Sequence, residues 1–489
     1  MIVVVLLGAL LRFYDLSGES LWTDEMISLS HTTASSLTSS VITKELMPPG
    51  YFILLKWWIS YFGTSEFSLR FISAFFDTLS IILVFYLGKI IFSEEAGLWA
   101  ALIYALGILP LVYAQEARPY AVFTFLVLLS TYLLSLLLQP RQGKKKLCYF
   151  LFYSLTISLA LYVNYTFFFV LFIHLLVLLN DRSIEESIEK KKVPLGWWLG
   201  AVLLGILCFM LNGFQILYFQ AQLRQPALQV GLALRGVPVF LSNLGIGFYV
   251  LVICMFLVSF ILLFYLLARQ YKDNKDCKNN EESDYKILIL SLVLIFSIPL
   301  FCIPIFSLLF QPSIFMRSYA LIRHSVFLLP LAYLMVGRAF SAISKQKWKY
   351  ILIILIFIFS SISLYFYYQW ETKPPWESAV QDVYEHPGLL LFDRSGSNVD
   401  LFKYYWERNY PEESFRYVNL SWEEEGVLQK IDDQELLRSL DREKSFWLIS
   451  SRTITVGNYY LEFLPKYFTV VLPKHYTEME LLYLEHKLK

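Results

Sequence analysis

Charged side chains are scarce in the first three quarters of this chain of 489 residues. The sequence has 41 basic and 40 acidic residues, of which 46 lie in the first 370 positions and 35 in the last 119. These are about 12% and about 29% of the two parts, whereas soluble domains are about 25% charged. The composition therefore excludes a soluble enzyme and predicts a membrane part, 1–370, followed by a water-soluble domain, 371–489.

Cysteine is also scarce, and no C-x-x-C pair occurs. The five cysteines are Cys148, Cys208, Cys254, Cys277 and Cys302. This spacing predicts neither a disulfide framework nor a cysteine metal site. The formal net charge is only +1, so we expect no nucleic-acid partner.

Long apolar runs fill the first 370 residues. A helix crosses the bilayer core with about 20 apolar residues. Ten segments qualify: 67–92, 97–112, 120–138, 147–162, 165–180, 196–218, 238–268, 287–310, 323–340 and 350–368. Residues 1–11 are apolar but too short to span, and no cleavage site of a signal peptide follows them. We expect them to end a first membrane helix that starts before residue 1, which makes eleven predicted spans.

The distribution of Lys and Arg predicts the orientation. Sixteen of these residues lie in four alternate loops, and four lie in the three loops between them. The basic loops are 139–146, 181–195, 269–286 and 341–349, and the others are 112–119, 219–236 and 311–322. Because basic loops stay in the cytoplasm, we expect a multi-pass protein of the cytoplasmic membrane whose first loop, 12–66, and tail lie outside.

The first outer loop, 12–66, is long and partly apolar. Within it, residues 48–63 (PPGYFILLKWWISYFG) are aromatic but too short and interrupted to cross a bilayer. This pattern is typical of a helix that lies in the membrane interface, with Trp57, Trp58 and Tyr61 at the level of the headgroups.

The tail, 371–489, alternates β-rich runs with helical stretches. The runs are GLLLF (388–392), FRYVNL (415–420), SFWLIS (445–450) and FTVVLP (468–473), and the helical stretches are 400–408 and 432–441. Strands separated by helices predict a small α/β domain.

Few charged residues lie on the predicted outer side of the membrane part, and two of them are the adjacent acids Asp24 and Glu25. An acid here either caps a helix start or is held at the membrane surface as a general base. Neighbours on a helix point in different directions, so at most one of the two faces a given site. His31 lies seven residues after Asp24, which permits a shared metal ion, although a lone histidine is more often an ordinary polar residue.

The next outer turn, 113–120 (YAQEARPY), holds one acid and one base, Glu116 and Arg118. In one interpretation they form an ion pair, which contributes about 0–1 kcal/mol to stability when exposed. In the other, the planar guanidinium of Arg118 binds a phosphate, and Glu116 orients that arginine or binds a metal ion. Arg12 and Arg323, at two other outer helix ends, either extend to the headgroups or bind a phosphate.

These charges lie at outer helix ends rather than in mid-membrane, apart from Asp77, which should face the bundle interior. A secondary transporter places its binding groups near the midplane. The pattern therefore indicates chemistry at the outer interface, on a substrate with one end in lipid.

Three ordered motifs give the chain a family resemblance: LRFYDLSGESLWTDEMISL (11–29), PPGYFILLKWWISYFGTSEFSLRFISAFF (48–76) and YAQEARPYA (113–121). Together they resemble the bacterial and archaeal membrane glycosyltransferases of family 39, which are relatives of protein O-mannosyltransferases and of the aminoarabinose transferase that modifies lipid A. The resemblance covers residues 1–140, and RHSVFLLPLAYLMVG (323–337) more loosely.

The resemblance implies a GT-C fold, which is an α-helical polytopic membrane fold with many transmembrane helices. The apolar runs and the pattern of the tail set the expected details: about eleven transmembrane helices and a small C-terminal soluble α/β domain. The resemblance also implies an active site on the outer face, a sugar donor on polyprenyl phosphate and inversion at the anomeric centre. By resemblance, Asp24 matches the essential acid of the first loop, with Glu25 beside it. Glu116 and Arg118 match the acidic motif of the second loop, and Arg323 is expected to meet the lipid phosphate.

Two positions depart from the family pattern. Many relatives have a histidine just before the interfacial helix, where this chain has Met47, and another at the outer end of the fifth span, where Asn164 stands. Any metal or substrate contact of those histidines is in question here. No cofactor is firmly expected, and a divalent metal ion remains an open alternative with Asp24, His31 and Glu116 as candidate ligands.

We therefore expect a glycosyltransferase that moves a sugar from polyprenyl phosphate to a lipid, glycan or protein acceptor at the outer face of the membrane. Inverting transfer needs a base for the acceptor hydroxyl. The lipid phosphate leaves as a stable anion, so it needs positive charge rather than an acid. The alternatives are a lipid-linked polysaccharide ligase or polymerase, a non-enzymatic lipid transporter and a scaffold that binds partners through its tail.

Overall fold

The computed structural model of the protein describes residues 1–34, 48–138, 144–179, 196–211, 326–341, 343, 345–369, 373–393, 397–424, 427–451, 455–476 and 479–487. The chain divides into two compact units. The membrane unit comprises Met1–Tyr14, Ala34–Trp57 and Phe71–Ser360, and the C-terminal unit comprises Asp15–Thr33, Trp58–Arg70 and Ser361–Lys489. Two segments of the loop 12–66, with the first residues of α4, thus belong to the same unit as the tail.

Twelve helices precede the tail in the described part of the chain. They are α1 (Ile2–Phe13), α2 (Thr23–Thr33), α3 (Gly50–Phe62), α4 (Glu66–Ile91), α5 (Glu94–Leu106), α6 (Ile108–Ala114), α7 (Tyr120–Leu138), α8 (Lys144–Val163), α9 (Phe167–Leu179), α10 (Gly196–Leu211), α11 (Leu329–Ser341) and α12 (Gln346–Gln369). Helices α4, α7, α8 and α12 are long and apolar enough to cross a membrane, and α5 with α6 forms a fifth, bent candidate.

Nine of the eleven predicted spans correspond to helices in the described residues. The predicted spans 238–268 and 287–310 lie outside those residues. Helices α1 and α10 and the segment Val326–Ser341 are apolar but only 10–17 residues long. The helical membrane architecture is therefore confirmed, whereas the number of eleven spans stays a prediction.

Glycines let the helices α4, α5 and α11 approach one another closely. A Cβ atom added to Gly97 would lie 2.4 Å from the carbonyl oxygen of Phe85, and one added to Gly337 would lie 2.5 Å from that of Ala96. Small residues at such contacts permit the close backbone packing on which helix association in membranes depends. The apolar core beside them includes Ile81, Val84, Leu87, Ala100, Ala101, Tyr104 and Leu334.

The segment predicted as one span over 97–112 is broken at Gly107. Helices α5 and α6 are bent there by 59°, and Gly107 is extended, with φ −68° and ψ 128°. Pro110 follows three residues later and has no N–H to donate to the preceding turn, so the sequence does not support a continuous helix. Helix α6 then ends in the turn that carries Gln115, Glu116 and Arg118.

The tail forms an α/β structure. Its elements are α13 (Trp376–Glu385), β1 (Leu389–Phe392), α14 (Ser397–Asn409), β2 (Tyr417–Asn419), β3 (Ser421–Glu424), β4 (Val427–Lys430), α15 (Asp433–Leu440), β5 (Ser445–Ser451), α16 (Thr455–Phe463), β6 (Phe468–Tyr476) and β7 (Met479–His486). Five strands form a sheet in the order β2-β1-β5-β7-β6, and β3 pairs with β4 in a separate hairpin. Strand β1 is parallel to β2 and β5, whereas β7 is antiparallel to β5 and β6.

The core of the tail lies against this sheet. All four residues of β1 are buried, as expected for a central strand covered on both faces. Helix α15 starts at a cap: the Asp432 carboxylate accepts the N–H groups of Gln434 and Glu435 at 3.0 and 3.1 Å, which satisfies donors that the first turn leaves open. The same helix buries Leu436 and Leu440 in the core.

Candidate active site

The two acids at the start of α2 have different surroundings. Helix α2 begins at Thr23, so Asp24 and Glu25 both lie in its first turn, where the helix dipole favours negative charge. The Asp24 side chain is partly exposed, whereas Glu25 is completely buried. Of the two carboxylates, only that of Asp24 is therefore accessible to a substrate in this structure.

Glu25 is held by two cations. Its carboxylate accepts Nε and Nη2 of Arg70 at 2.8 and 2.9 Å in a bidentate pair, and it accepts Nζ of Lys373 at 3.2 Å. It also accepts the backbone N–H of Trp22, the residue before α2, at 3.3 Å. This hydrogen bond ties the side chain to the start of the helix. A bidentate, buried pair of this kind fixes both position and orientation, so Glu25 acts as an anchor of the helix.

Arg70 extends this anchor to the preceding loop. Besides Glu25, its guanidinium donates to the carbonyl oxygens of Leu16, Glu19 and Ser20 at 3.0, 2.9 and 3.0 Å. All five N–H groups of the side chain are thereby used. Arg70 lies within the second motif, but no sequence pattern identifies its role, because its acceptors are about fifty positions away and three of them are backbone atoms.

Arg12 lies in a second polar cluster, inside the membrane unit. Its side chain is fully buried, and its Nε donates to the carboxylate of Asp77 at 2.6 Å. The Asp77 carboxylate also accepts the hydroxyl of Tyr104 at 2.5 Å. The remaining guanidinium nitrogens of Arg12 donate to the backbone carbonyls of Gly8, Ala105 and Tyr104 at 3.1, 3.1 and 3.4 Å. This cluster joins α1, α4 and α5.

The turn after α6 packs against the end of α1. The Gln115 side-chain amide donates to the carbonyl oxygens of Leu11, Arg12 and Tyr14 at 3.3, 3.2 and 2.9 Å, which satisfies acceptors that the helix end leaves open. The next two candidates, Glu116 and Arg118, are each 4% exposed.

Backbone contacts hold the shape of this turn. The N–H of Arg118 donates to the carbonyl of Glu116 at 2.8 Å, and the carbonyl of Arg118 accepts the hydroxyl of Ser73 at 3.2 Å. The structure thus brings Arg12, Glu116 and Arg118 into one unit, whereas Asp24 and Glu25 belong to the other. Arg323 lies outside the described residues.

The candidate metal ligands do not form a cluster in the described part of the chain. His31 is buried in the last turn of α2, in the same unit as Asp24, whereas Glu116 belongs to the membrane unit. Among the described residues, no group of three His, Cys, Asp or Glu side chains could hold a metal ion. Met47 is outside those residues. Asn164 has a local role: its side-chain oxygen accepts the N–H and the hydroxyl of Thr166, both at 2.9 Å.

Helix α3 corresponds to the predicted interfacial helix. With thirteen residues it is about 20 Å long at a rise of about 1.5 Å per residue, too short to cross a bilayer core of about 30 Å. It begins against α8, since a Cβ atom on Gly50 would lie 2.5 Å from the carbonyl oxygen of Tyr162. Trp57 and Tyr61 are 57% and 71% exposed, as a lipid-facing surface requires. Its position in the interface stays a prediction.

Residues 47–213 match the family model of dolichyl-phosphate-mannose-protein mannosyltransferases. The resemblance to membrane glycosyltransferases is confirmed. The matched segment includes α3 to α10 and the turn with Glu116 and Arg118. Among curated proteins, none matches the chain.

The solved structures that are similar to the chain include those of ArnT and of an archaeal oligosaccharyltransferase. ArnT from Cupriavidus metallidurans in the apo state has 10% identity over 99% of this chain and 97% of its own, with a TM-score of 0.48. The same protein bound to undecaprenyl phosphate gives 10% identity, the same coverage and a TM-score of 0.46. The Archaeoglobus fulgidus oligosaccharyltransferase in complex with Zn and sulfate has 13% identity over 79% of this chain and 55% of its own, with a TM-score of 0.43.

Proposed function

We propose that the protein is a glycosyltransferase that moves a sugar from polyprenyl phosphate to an acceptor at the outer face of the cytoplasmic membrane, with inversion. The family match over residues 47–213 carries this proposal. It is supported by the partly exposed carboxylate of Asp24 at the start of α2 and by the predicted outer position of the motifs that contain Asp24, Glu116 and Arg118.

Asp24 is the general base of the proposed reaction. Its carboxylate takes the proton of the acceptor hydroxyl while the hydroxyl oxygen attacks the anomeric carbon. The bond between that carbon and the phosphate oxygen breaks on the opposite face, and the lipid phosphate leaves with the bonding electrons as an anion. A positioned base of this kind contributes about 10²–10⁴-fold to the rate.

Positive charge stabilises the departing phosphate. We assign this role to Arg118 and Arg323, with Glu116 orienting the first of them. Arg12 and Glu25 receive structural roles instead. Arg12 has four hydrogen-bond acceptors within the membrane unit, and the buried carboxylate of Glu25 is neutralised by two cations.

The mechanism uses only side chains of the protein. In this proposal, guanidinium groups balance the phosphate charge, and no step passes through a metal ion. Metal binding by Asp24, His31 and Glu116 stays a prediction.

The proposal is tested with purified protein in detergent. Radiolabelled polyprenyl-phosphate sugars are offered as donors, and a membrane extract supplies acceptors. We expect transfer of label, release of polyprenyl phosphate and a product whose anomeric configuration is opposite to that of the donor. Movement of intact donor across a vesicle membrane without cleavage would instead establish the lipid transporter, and a product of many added units would establish a polymerase.

A further inference from the structure

The C-terminal unit joins the start of α2 to the tail through side chains of α14. Helix α2 packs against α14, although the two are separated by more than 350 positions in the sequence. The contacts are polar and specific, and they involve the segment immediately before Asp24. They are therefore placed to control the orientation of the proposed base.

Tyr405 makes the first of these contacts. Its hydroxyl accepts the backbone N–H of Leu21 at 2.7 Å and donates to the carboxylate of Glu66 at 2.8 Å. Leu21 lies two residues before α2 and is completely buried. A single hydroxyl thus connects the tail to the N-terminal end of α2 and to the first residue of α4. Burial, and after it the negative charge of Glu66, raises the pKa of Tyr405 above its usual range, so the hydroxyl keeps the proton that it donates.

Arg408 and Tyr404 complete the contact on the α4 side. Nη1 of Arg408 lies 2.7 and 2.9 Å from the two carboxylate oxygens of Glu66, and the hydroxyl of Tyr404 donates to the carbonyl oxygen of Thr64 at 2.9 Å. Arg408 is one turn after Tyr405 on α14, so both side chains reach the same carboxylate. Glu66 is only 5% exposed and needs these partners, because an unpaired buried charge is strongly disfavoured.

Lys373 makes the contact within the first turn of α2. Its ammonium group donates to the carboxylate of Glu25 at 3.2 Å, and its side chain is 11% exposed. Glu25 directly follows Asp24 in the first turn of α2. The tail therefore reaches the start of the helix twice: Tyr405 holds the backbone at Leu21, and Lys373 holds the side chain at Glu25.

The contacts of Tyr405 and Arg408 join the tail to the rest of the C-terminal unit. Tyr405 is completely buried. Its hydroxyl partners, Leu21 and Glu66, and the partner of Arg408, Glu66, lie more than 300 positions before α14 in the sequence.

We infer that Tyr405, Arg408 and Lys373 are positioning residues through which the C-terminal domain holds α2, and with it Asp24, in the orientation required for transfer. The inference rests on the proposed role of Asp24. A general base works only when its oxygen is within hydrogen-bonding distance of the proton that it removes. A displacement of about 1 Å at such a group is enough to slow turnover by about 10²-fold.

Tyr405→Phe is the direct test, because it removes one oxygen and keeps the ring. The full-length protein in detergent is compared with Tyr467→Phe, a matched control at a tyrosine that is 50% exposed. We expect kcat of Tyr405→Phe to fall about 10-fold or more, with donor KM changed less than 2-fold, since the donor phosphate is bound elsewhere. Amide hydrogen exchange should rise in residues 19–33 and stay unchanged in the sheet of the tail.

Arg408→Lys and Arg408→Gln provide the second comparison. Lysine keeps the charge beside Glu66, so it should retain most of the turnover, whereas glutamine should lower kcat as Tyr405→Phe does. Normal kcat in both Tyr405→Phe and Arg408→Gln contradicts the inference, and so does exchange that rises evenly over the whole chain. If the wild-type protein transfers no sugar, the proposed function fails, while the exchange measurement still decides whether α14 orders α2.

Discussion

Removing Arg12 alone should damage the protein more than removing Arg12 and Asp77 together. The two side chains form a buried pair at 2.6 Å, with 0% and 4% of their side-chain surface exposed. In the variant Arg12→Met, the Asp77 carboxylate loses its cation and keeps only the hydroxyl of Tyr104. In Asp77→Asn, the guanidinium loses its counter-ion but keeps its backbone carbonyls.

The magnitude follows from the burial of the pair. Removing one partner of a buried ion pair costs about 3–5 kcal/mol, because the other charge is left uncompensated. The double variant Arg12→Met/Asp77→Asn buries no charge, and Asn still accepts the hydroxyl of Tyr104. Its cost is then limited to the backbone carbonyls that lose Arg12, about 1–3 kcal/mol for an unsatisfied buried group. We expect the double variant to be more stable than Arg12→Met.

The measurement is unfolding of the detergent-solubilised protein, combined with donor binding. The matched control is the exposed pair Lys89 and Glu94, at 2.6 Å with 45% and 70% of the side chains exposed, whose replacement by Met and Gln should change stability little. A double variant that is no more stable than Arg12→Met would refute the reasoning. A stable double variant that no longer binds the donor would support the alternative role of Arg12, in which it binds the donor phosphate.

Three further predictions concern other parts of the chain. Arg118→Lys should raise the donor KM about 10-fold, because lysine keeps the charge but cannot form two parallel hydrogen bonds to a phosphate. The control is Arg442→Lys at an exposed position, and an equal donor KM in the two variants would contradict the assignment of Arg118 to the phosphate site. Gly337→Val should destabilise the membrane unit by about 1–3 kcal/mol through overpacking, since a Cβ there meets the backbone of Ala96 and Ala100 at 2.5 and 2.6 Å. Gly196→Val, in open space, is its control, and equal effects of the two would contradict the packing argument. In a cysteine-free background, Glu412→Cys should react with an impermeant maleimide in intact cells; labelling only after lysis would reverse the proposed topology.

The membrane helices were predictable because their signal is local. Length and apolarity place α4, α7 and α8 within a few residues of their predicted bounds. The break between α5 and α6 was missed, because a count of apolar residues does not register Gly107 and Pro110. In the tail, β1, β5 and β6 begin at or next to the predicted positions.

The last strand, β7, was missed for a different reason. Its sequence MELLYLEH does not alternate cleanly between apolar and polar residues. It pairs with both β5 and β6, so it is covered on its two edges, and an internal strand needs no alternation when both of its faces are buried.

The candidate site was predictable in its residue types but not in its partners. The acid pair at 24–25 is visible in the sequence, yet burial decides that Glu25 is an anchor and that Asp24 is accessible. Arg70, Lys373 and Tyr405 were not identified, since their hydrogen-bond partners lie 45 to 384 positions away. Contacts of that separation depend on tertiary packing and leave no periodic pattern in the sequence.

The same burial changes the expected behaviour of Glu25. The spacing of the two acids suggests that Glu25 matters less to the reaction than its neighbour. In the structure, Glu25→Gln would remove the counter-charge of Arg70 and Lys373 together, so it should lower stability as well as turnover. Activity lost in that variant therefore does not identify Glu25 as the base.

The most direct test of the account is the transfer rate of Asp24→Asn measured together with donor binding. The substitution keeps the size of the side chain and its place in the first turn of α2, and it removes the proton affinity. Asp441→Asn, at an exposed position, is the matched control and should behave as wild type. We predict a fall in turnover of about 10²-fold or more with donor affinity unchanged. Near-normal turnover of Asp24→Asn would contradict the account.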